Sequence, residues 1–283
     1  MNITSEQLSV LDALKCERLS SDWKNMRLVE TFENYKNSRI SDTLKNEAFE
    51  EDETNKVAYY VIKDKEEHIL FFFSLKCGLL YDEFIEGEKL EKLRHLYEWL
   101  LKMKEDGECS DSDKDTIDSI LESVRSKKGL KKADVARIVN ADKDSKEFDS
   151  LFDENTKNVG RTFAGIEIVH FCVNDEMRYV WEQYGFDHKI GTVVFWYFIV
   201  PKVQELMKIA GCEYIFLFAA DCSENEELIN YYIVNLNFMK ADEHSAAIPL
   251  YDFTCKFMYQ ETQYLESGRK TFLSNFNRDK DAV

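Results

Sequence analysis

Gly165-Ile-Glu-Ile-Val-His-Phe-Cys-Val173 is the stretch from which the fold is read. β-Branched and aromatic residues dominate it and no proline interrupts it, so Ile166 to Val173 is expected to be a strand. In a regular strand Glu167 and His170 face opposite sides, and only one can meet a given ligand unless a bulge intervenes. Downstream, Gly191 to Ala210 predicts a helix, strongly apolar at first and amphipathic later. Glu213-Tyr-Ile-Phe-Leu-Phe218 predicts a strand, Asn225 to Leu236 a helix, and Phe238 to Ala241 and Tyr251 to Gln260 two more strands. This alternation points to an α/β chain with a mixed sheet covered by helices.

Upstream, Val57-Ala-Tyr-Tyr-Val-Ile62 and Ile69-Leu-Phe-Phe-Phe-Ser-Leu75 flank the polar turn Lys63 to Glu67. They predict a hairpin whose second strand is buried on both faces. Between hairpin and strand the pattern changes to helical. Leu90, Leu93, Leu96, Tyr97, Leu100 and Leu101 form a stripe at 3.6-residue spacing. An acidic linker, Asp106 to Asp115, leads to a second stripe at Ile117, Ile120, Leu121 and Val124. A third short helix carries Val135, Ile138 and Val139. The expected organisation is therefore 1–81 as N-terminal helices and hairpin, 82–158 as a helical insertion or lid, and 159–283 as the remaining α/β half. In the first part, Leu8, Leu11 and Leu14 recur at helix spacing, although Leu8-Val10-Asp12 also suits a strand. Trp23, Met26, Leu28, Val29 and Phe32 suggest a helix over Ser21 to Asn37, and Asp42 to Asp52 a weaker one.

Composition narrows the function. Hydrophobic residues make up 44% of the chain and aromatics 13%, enough for a well-buried core and against global disorder. A formal charge of −17 repels phosphate backbones at long range, so nucleic acid is an unlikely partner and cationic ones fit better. Seven cysteines without CxxC spacing suggest free thiols in a reducing, cytoplasmic compartment. The longest apolar run, Val193 to Val200, falls far short of the roughly 20 residues of a membrane span. Asp111, Asp113, Asp115 and Glu122 have calcium-loop spacing, but Thr116 stands where that loop needs glycine, and acids also cap helices. His170 and Cys172 lack a second ligand pair for zinc, so no metal is expected. Lys127, Lys128, Lys131 and Lys132 hint at a helix-turn-helix, but the acids around them favour a solvated face.

The hairpin at 57–76 together with 163–261 resembles the GNAT acetyltransferase fold, whose order is hairpin, central strand, CoA-binding helix, strand, helix and a final antiparallel pair. The family signature R/Q-x-x-G-x-G/A is matched by His188-Lys-Ile-Gly191-Thr-Val193, with His188 at the first position and Val193 at the last. A run of free backbone N–H groups at a helix start suits a diphosphate. Asn225 and Tyr232 stand seven apart, as a family Asn and Tyr do on the next helix. Asn237-Phe238 is similar to the family's Gly-Phe turn, and Asn tolerates the left-handed conformation of a helix end.

The resemblance implies a GNAT-like, mostly antiparallel sheet flanked by helices, and acetyl-CoA as cosubstrate. It implies His188, Lys189, Ile190, Gly191, Thr192 and Asn225 as coenzyme contacts, with the backbone of Phe171, Cys172 and Val173 pairing with the pantetheine arm. Glu167 would be the base that deprotonates an amine acceptor, small molecule or protein, with His170 next in line. Tyr232, or its neighbour Tyr231, would be the acid toward the departing thiolate. Each of these residues also has a plain structural reading as a core or solvated side chain. The rival function is a GNAT-like binding or regulatory module whose insertion recognises a partner.

Overall fold

A computed structural model of the chain describes residues 4–85, 100–102, 104–105, 110–125, 130–138, 157–221, 223–240, 244–246 and 255–274. The described elements begin with α1 (Ser5–Ala13), β1 (Lys15–Arg18), α2 (Asn25–Leu28), α3 (Ser38–Asn46), α4 (Ala48–Glu53), β2 (Ala58–Lys63) and β3 (Ile69–Ile85). Next come α5 (Asp111–Arg125), β4 (Leu130–Lys131), α6 (Lys132–Ile138) and the long strand β5 (Lys157–Val173). Then follow α7 (Arg178–Gln183), α8 (Ile190–Val194), α9 (Val200–Met207), β6 (Tyr214–Ala219) and α10 (Glu227–Leu236). The last described elements are β7 (Met239–Lys240), β8 (Ser245–Ala246), β9 (Lys256–Glu261) and α11 (Leu265–Ser274). These elements form two compact units, one of Met1–Gly78, Ala164–Lys240 and Ile248–Val283, the other of Leu79–Phe163 and Ala241–Ala247.

In the first unit the sheet order is β1-β2-β3-β5-β6-β9-β7. The hairpin pairs antiparallel from Ala58↔Leu75 to Ile62↔Phe71, and Ile69 to Leu75 are buried without a break, as their apolar run demands. β5 and β6 are parallel, and β9 returns antiparallel to both β6 and β7. One core lies between the sheet and α1 and α8 to α11, holding Ile166, Ile168, Val193, Phe195 and Leu217. The second lies on the other face, where Leu19, Phe32, Leu44 and Ala48 meet Tyr59 and Phe72.

Side-chain chemistry resolves two N-terminal expectations and adds one strand that was not expected. Thr4 and Gln7 form a capping box, each side chain accepting from the other's backbone N–H at 3.2 and 2.8 Å, and this commits Leu8 to Asp12 to a helix. The polar sequence Lys15-Cys-Glu-Arg18, with no strand signature of its own, becomes β1 by pairing with β2. There Glu17 meets the buried Lys63 ammonium at 2.6 Å, and Asn25 accepts from the same group at 3.0 Å. The single helix expected over Ser21 to Asn37 does not form. Asn25 is fully buried and spends its side-chain amide on the Leu19 carbonyl at 3.1 Å, leaving only the short α2 and a 3₁₀ turn at Val29–Thr31.

The helix after β5 carries a π turn, Phe195–Ile199, between α8 and α9. Pro201, at the start of α9, has no N–H to give back along the helix and its ring crowds the preceding turn, so the helix widens there. The Arg269 guanidinium on α11 donates to the Trp196 carbonyl in that turn at 3.1 Å.

In the second unit α5 buries Ile117, Ile120 and Leu121, and α6 buries Val135, Ala136 and Ile138. Asp111, Asp113 and Asp115 are thus in the first turns of a helix, and Glu122 is near the end of the same helix, so the four do not form a loop. This unit also holds strand pairs, Phe84↔Lys131 and Leu80↔Ala246, and a buried Asp82–His244 pair at 2.7 Å. The stripe from Leu90 to Tyr97, the positions Lys127 and Lys128, and residues 251–254 of the last expected strand lie outside the described residues.

Candidate functional site

β5 and β6 pair only over Gly165↔Tyr214 to Ile168↔Leu217. β5 runs on to Val173, while β6 continues to Ala219 paired with β9 instead. Past Ile168 and Leu217 the two parallel strands therefore fork. Phe171, Cys172 and Val173 lie on the forked end of β5. Hairpin, β5, helix, β6, helix and the β7–β9 pair occur in the order that the resemblance implies, with the parallel pair in the middle of a mostly antiparallel sheet. The fold is of the GNAT type.

Side chains on β5 do not alternate throughout. Ile166, Ile168, Phe171 and Val173 lie on the face covered by α8 to α11, whereas Val169 and Cys172 pack on the face carrying α2 to α4. His170 is on that second face too, stacked on Tyr59 at 5.5 Å and 5.8 Å from Phe72. Val169 and His170 are thus consecutive residues on one face, the signature of a bulge. The His170 amide bonds the Ser74 hydroxyl at 3.2 Å instead of a ladder carbonyl. Glu167, two residues before Val169, shares this face. The regular-strand expectation that Glu167 and His170 diverge is corrected: the bulge brings both to one side of the sheet.

Their environments differ. Burial raises the Glu167 carboxyl above its ordinary range, with Lys76 on β3 pulling it partly back. Among the described residues its carboxylate has no hydrogen-bond partner. His170 is held neutral, pushed down to about 4 by burial against a small opposing pull from Glu51. Its Nδ1 lies 2.8 Å from the Ser74 hydroxyl.

On the opposite face, α8 begins beside the forked end of β5. Lys189 is the exposed N-cap residue and no side chain caps the helix, so its first amides are left for another acceptor. A Cβ on Gly191 would sit 2.7 Å from the Tyr231 hydroxyl and 3.1 Å from the Phe171 ring. Glycine is what allows this helix start to approach β5 so closely. Thr192 shares a hydrogen bond with Tyr231 at 3.1 Å, and the Lys189 ammonium lies over the Tyr231 ring at 5.1 Å. Burial pushes the Tyr231 hydroxyl up to about 12, against the Thr192 hydrogen bond. Ile190 and Val193 point into the core, so the branched residue at the last signature position does not crowd the helix start. His188 accepts from the Trp181 indole through its carbonyl at 3.4 Å, and its ring, lowered in pKa chiefly by burial, lies 5.3 Å from Phe272.

Tyr232 is buried between Phe171 and Phe238, and burial raises its hydroxyl well above the ordinary value. Asn225 does not share a helix face with it. α10 starts at Glu227, and Asn225 stands in the exposed turn ahead, offering its carbonyl to the Asn230 side chain at 3.0 Å. Asp221 organises this helix start instead. One carboxylate oxygen accepts from the amides of Leu228 and Ile229 at 2.8 and 3.0 Å, the other from Ser223. Burial opposes ionisation, but those hydrogen bonds, from Ser223 first, hold Asp221 down to about 2. Sequence reasoning missed Asp221; an Asp after a strand and before an apolar helix is the pattern that would have found it. Asn237 takes the left-handed conformation expected of it, with φ of 59°.

A second feature adjoins α8. A cleft of about 390 Å³ opens between α8, the end of α10 and α11, with Thr192 and Trp196 on one side and Tyr264 and Ser267 on another. α11 was not expected from the sequence.

Compared with known proteins, the chain matches no family model and no curated protein. Among solved structures, one described as a bacterial toxin overlaps it with a TM-score of 0.48 at 8% identity, covering 91% of this chain and 95% of that one. AtaTR bound with acetyl-CoA overlaps at 0.45 and 10% identity, covering 90% and 98%. AtaT complexed with acetyl-methionyl-tRNAfMet overlaps at 0.42 and 10%, over the same shares. At this level the overlaps carry no argument about activity. The expectation that nucleic acid is an unlikely partner is not borne out, one of these neighbours being solved with a tRNA.

Proposed function

We propose that this chain is an N-acyltransferase that moves an acetyl group from acetyl-CoA to an amine by direct transfer. The observation that carries the reading is the fork. A forked strand end lies beside an uncapped helix start on one face, with a half-buried carboxylate and a neutral imidazole on the other. The fit to the coenzyme rests on Gly191, whose missing side chain keeps the helix start close to β5. The N-terminal amides of α8 with Lys189 would hold the diphosphate, and the backbone of Phe171 to Val173 the pantetheine arm. The coenzyme supplies a thioester-activated acetyl group.

Glu167, with its raised pKa, accepts the proton that the amine loses as the C–N bond forms, directly or through one water. His170 is the second base available on the same face. Tyr232 stays protonated at neutral pH and gives its proton to sulfur as the C–S bond breaks. Calorimetric titration with acetyl-CoA tests the reading. The wild type should bind, and Lys189→Glu, at an exposed position, should weaken binding roughly tenfold or more, the scale of a charged hydrogen bond. The melting temperature of the free protein should stay unchanged. No binding by the wild type would overturn the proposal and leave a GNAT fold serving as a partner-binding module.

A further inference from the structure

Glu167 shares its face of the sheet with an aromatic ring from the next strand. Ile166 and Ile168 lie in the core under α8 to α11, as do Ile215 and Leu217, so Glu167 and its register partner Phe216 stand together on the other face. The Phe216 ring does not stay over β6. A Cβ at Gly78, on β3, would lie 2.5 Å from its Cζ, so the ring crosses β5 to reach the strand beyond. Gly78 has no left-handed φ, and glycine is needed there for room alone. Gly165, two residues before Glu167 on the same face, puts no side chain in the way. Phe257 and Phe218 hold the ring, with centroids 5.7 and 6.2 Å away, and Phe216 is 2% exposed.

We propose that Phe216 is a positioning residue for the transfer: its ring closes the flank of Glu167 to water and so keeps the carboxylate a strong acceptor for the amine's proton. The inference rests on Glu167 as the base of the proposed acyltransfer. Hydrocarbon against a carboxyl group removes hydration that only the charged form needs. Burial is the leading cause that raises Glu167, and Lys76 opposes it. The other groups on this face are few. β3 brings Lys76, β6 brings Tyr214, Phe216 and Phe218, and β5 itself brings His170, held neutral. From α4 comes Glu51, whose pull falls on His170. Lys76 is exposed and its ammonium is free to swing, whereas the Phe216 ring is wedged between Gly78 and Phe257. The ring therefore sets the surroundings of Glu167, and the lysine trims them.

Carbon NMR of protein labelled at the glutamate carboxyl reads Glu167 directly, its signal being the one missing from Glu167→Gln. In the wild type the titration midpoint should lie above the ordinary 4.5. Phe216→Leu should lower it toward 4.5, because water gains the flank that the ring covered. Gly78→Ala, which pushes the ring aside, should move it the same way. Lys76→Met leaves the ring in place and should move it upward. Thermal melting checks the fold of each variant, and calorimetry should find the acetyl-CoA affinity of Phe216→Leu unchanged. A midpoint that stays put or rises in whichever of Phe216→Leu and Gly78→Ala folds would overturn the inference while leaving the proposed function standing. Failure of the wild type to bind acetyl-CoA would overturn the proposed function, and the inference with it.

Discussion

Asp52 and Glu167 are two carboxylates withdrawn from water on the same side of the sheet, and the protein treats them in opposite ways. Asp52, 1% exposed, accepts from the Arg18 guanidinium at 2.6 Å and from the amides of Ser20 and Tyr59 at 2.8 and 2.7 Å. It ties α4 to the segments around β1 and β2. Glu167 has Lys76 within electrostatic reach and no hydrogen bond among the described residues. A satisfied buried carboxylate holds a structure together. An unsatisfied one costs stability, and its raised pKa suits proton transfer.

The largest effect that would test this contrast is on turnover. Glu167→Gln should lower kcat roughly 10²–10⁴-fold, the range for a lost general base, with acetyl-CoA affinity kept. Near-normal turnover would shift the role to His170. The same variant should be no less stable than the wild type at neutral pH. The folded-state pKa of Glu167 lies above its ordinary 4.5, so the buried charge destabilises the fold above that pKa and the penalty is relieved as pH falls through it. Urea unfolding should therefore show Gln at an advantage at pH 7 that closes below about 4.5.

Asp52→Ala should do the reverse, sparing coenzyme affinity while costing about 3 kcal/mol in urea unfolding, because two backbone amides and Arg18 lose their acceptor together. A loss under about 1 kcal/mol would mean that water replaces the carboxylate readily and that the contrast is false. Arg18→Met is the finest probe. The Arg18 side chain is 31% exposed and the two amides would still satisfy Asp52, so about 1 kcal/mol is expected. A cost equal to that of Asp52→Ala would show that the ion pair, not the amides, carries the tie.

Much of the fold was legible because its signals are local. The hairpin, the strands at 166–173 and 213–218, the helix from 191 and the turn at Asn237 each follow from periodicity or backbone preference within a few residues. β1 was hidden, since its polar residues form a strand only by pairing with β2, with Glu17 held by partners that arrive from Lys63 and Asn25. The 21–37 segment misled for the related reason that one buried Asn redirected the chain. In the candidate site, the position of Gly191 at a helix start was readable. Asn225 was not placed correctly, because seven-residue spacing implies a shared face only if the helix has already begun.

The amino-acid order alone dictated the apolar runs of the hairpin and of the strands at 166–173 and 213–218, and the glycine that opens the helix after the central strand. These depend on dihedral preference and on side-chain spacing along one segment. Long-range packing set the bulge of β5 at Val169–His170, the parting of β5 and β6 beyond Ile168, and the closing of α11 onto Trp196. Each of those is a contest between segments far apart in the chain. A ladder to β3 gives way to the Ser74 hydroxyl, a parallel pairing yields to β9, and two surfaces meet only where glycine leaves room.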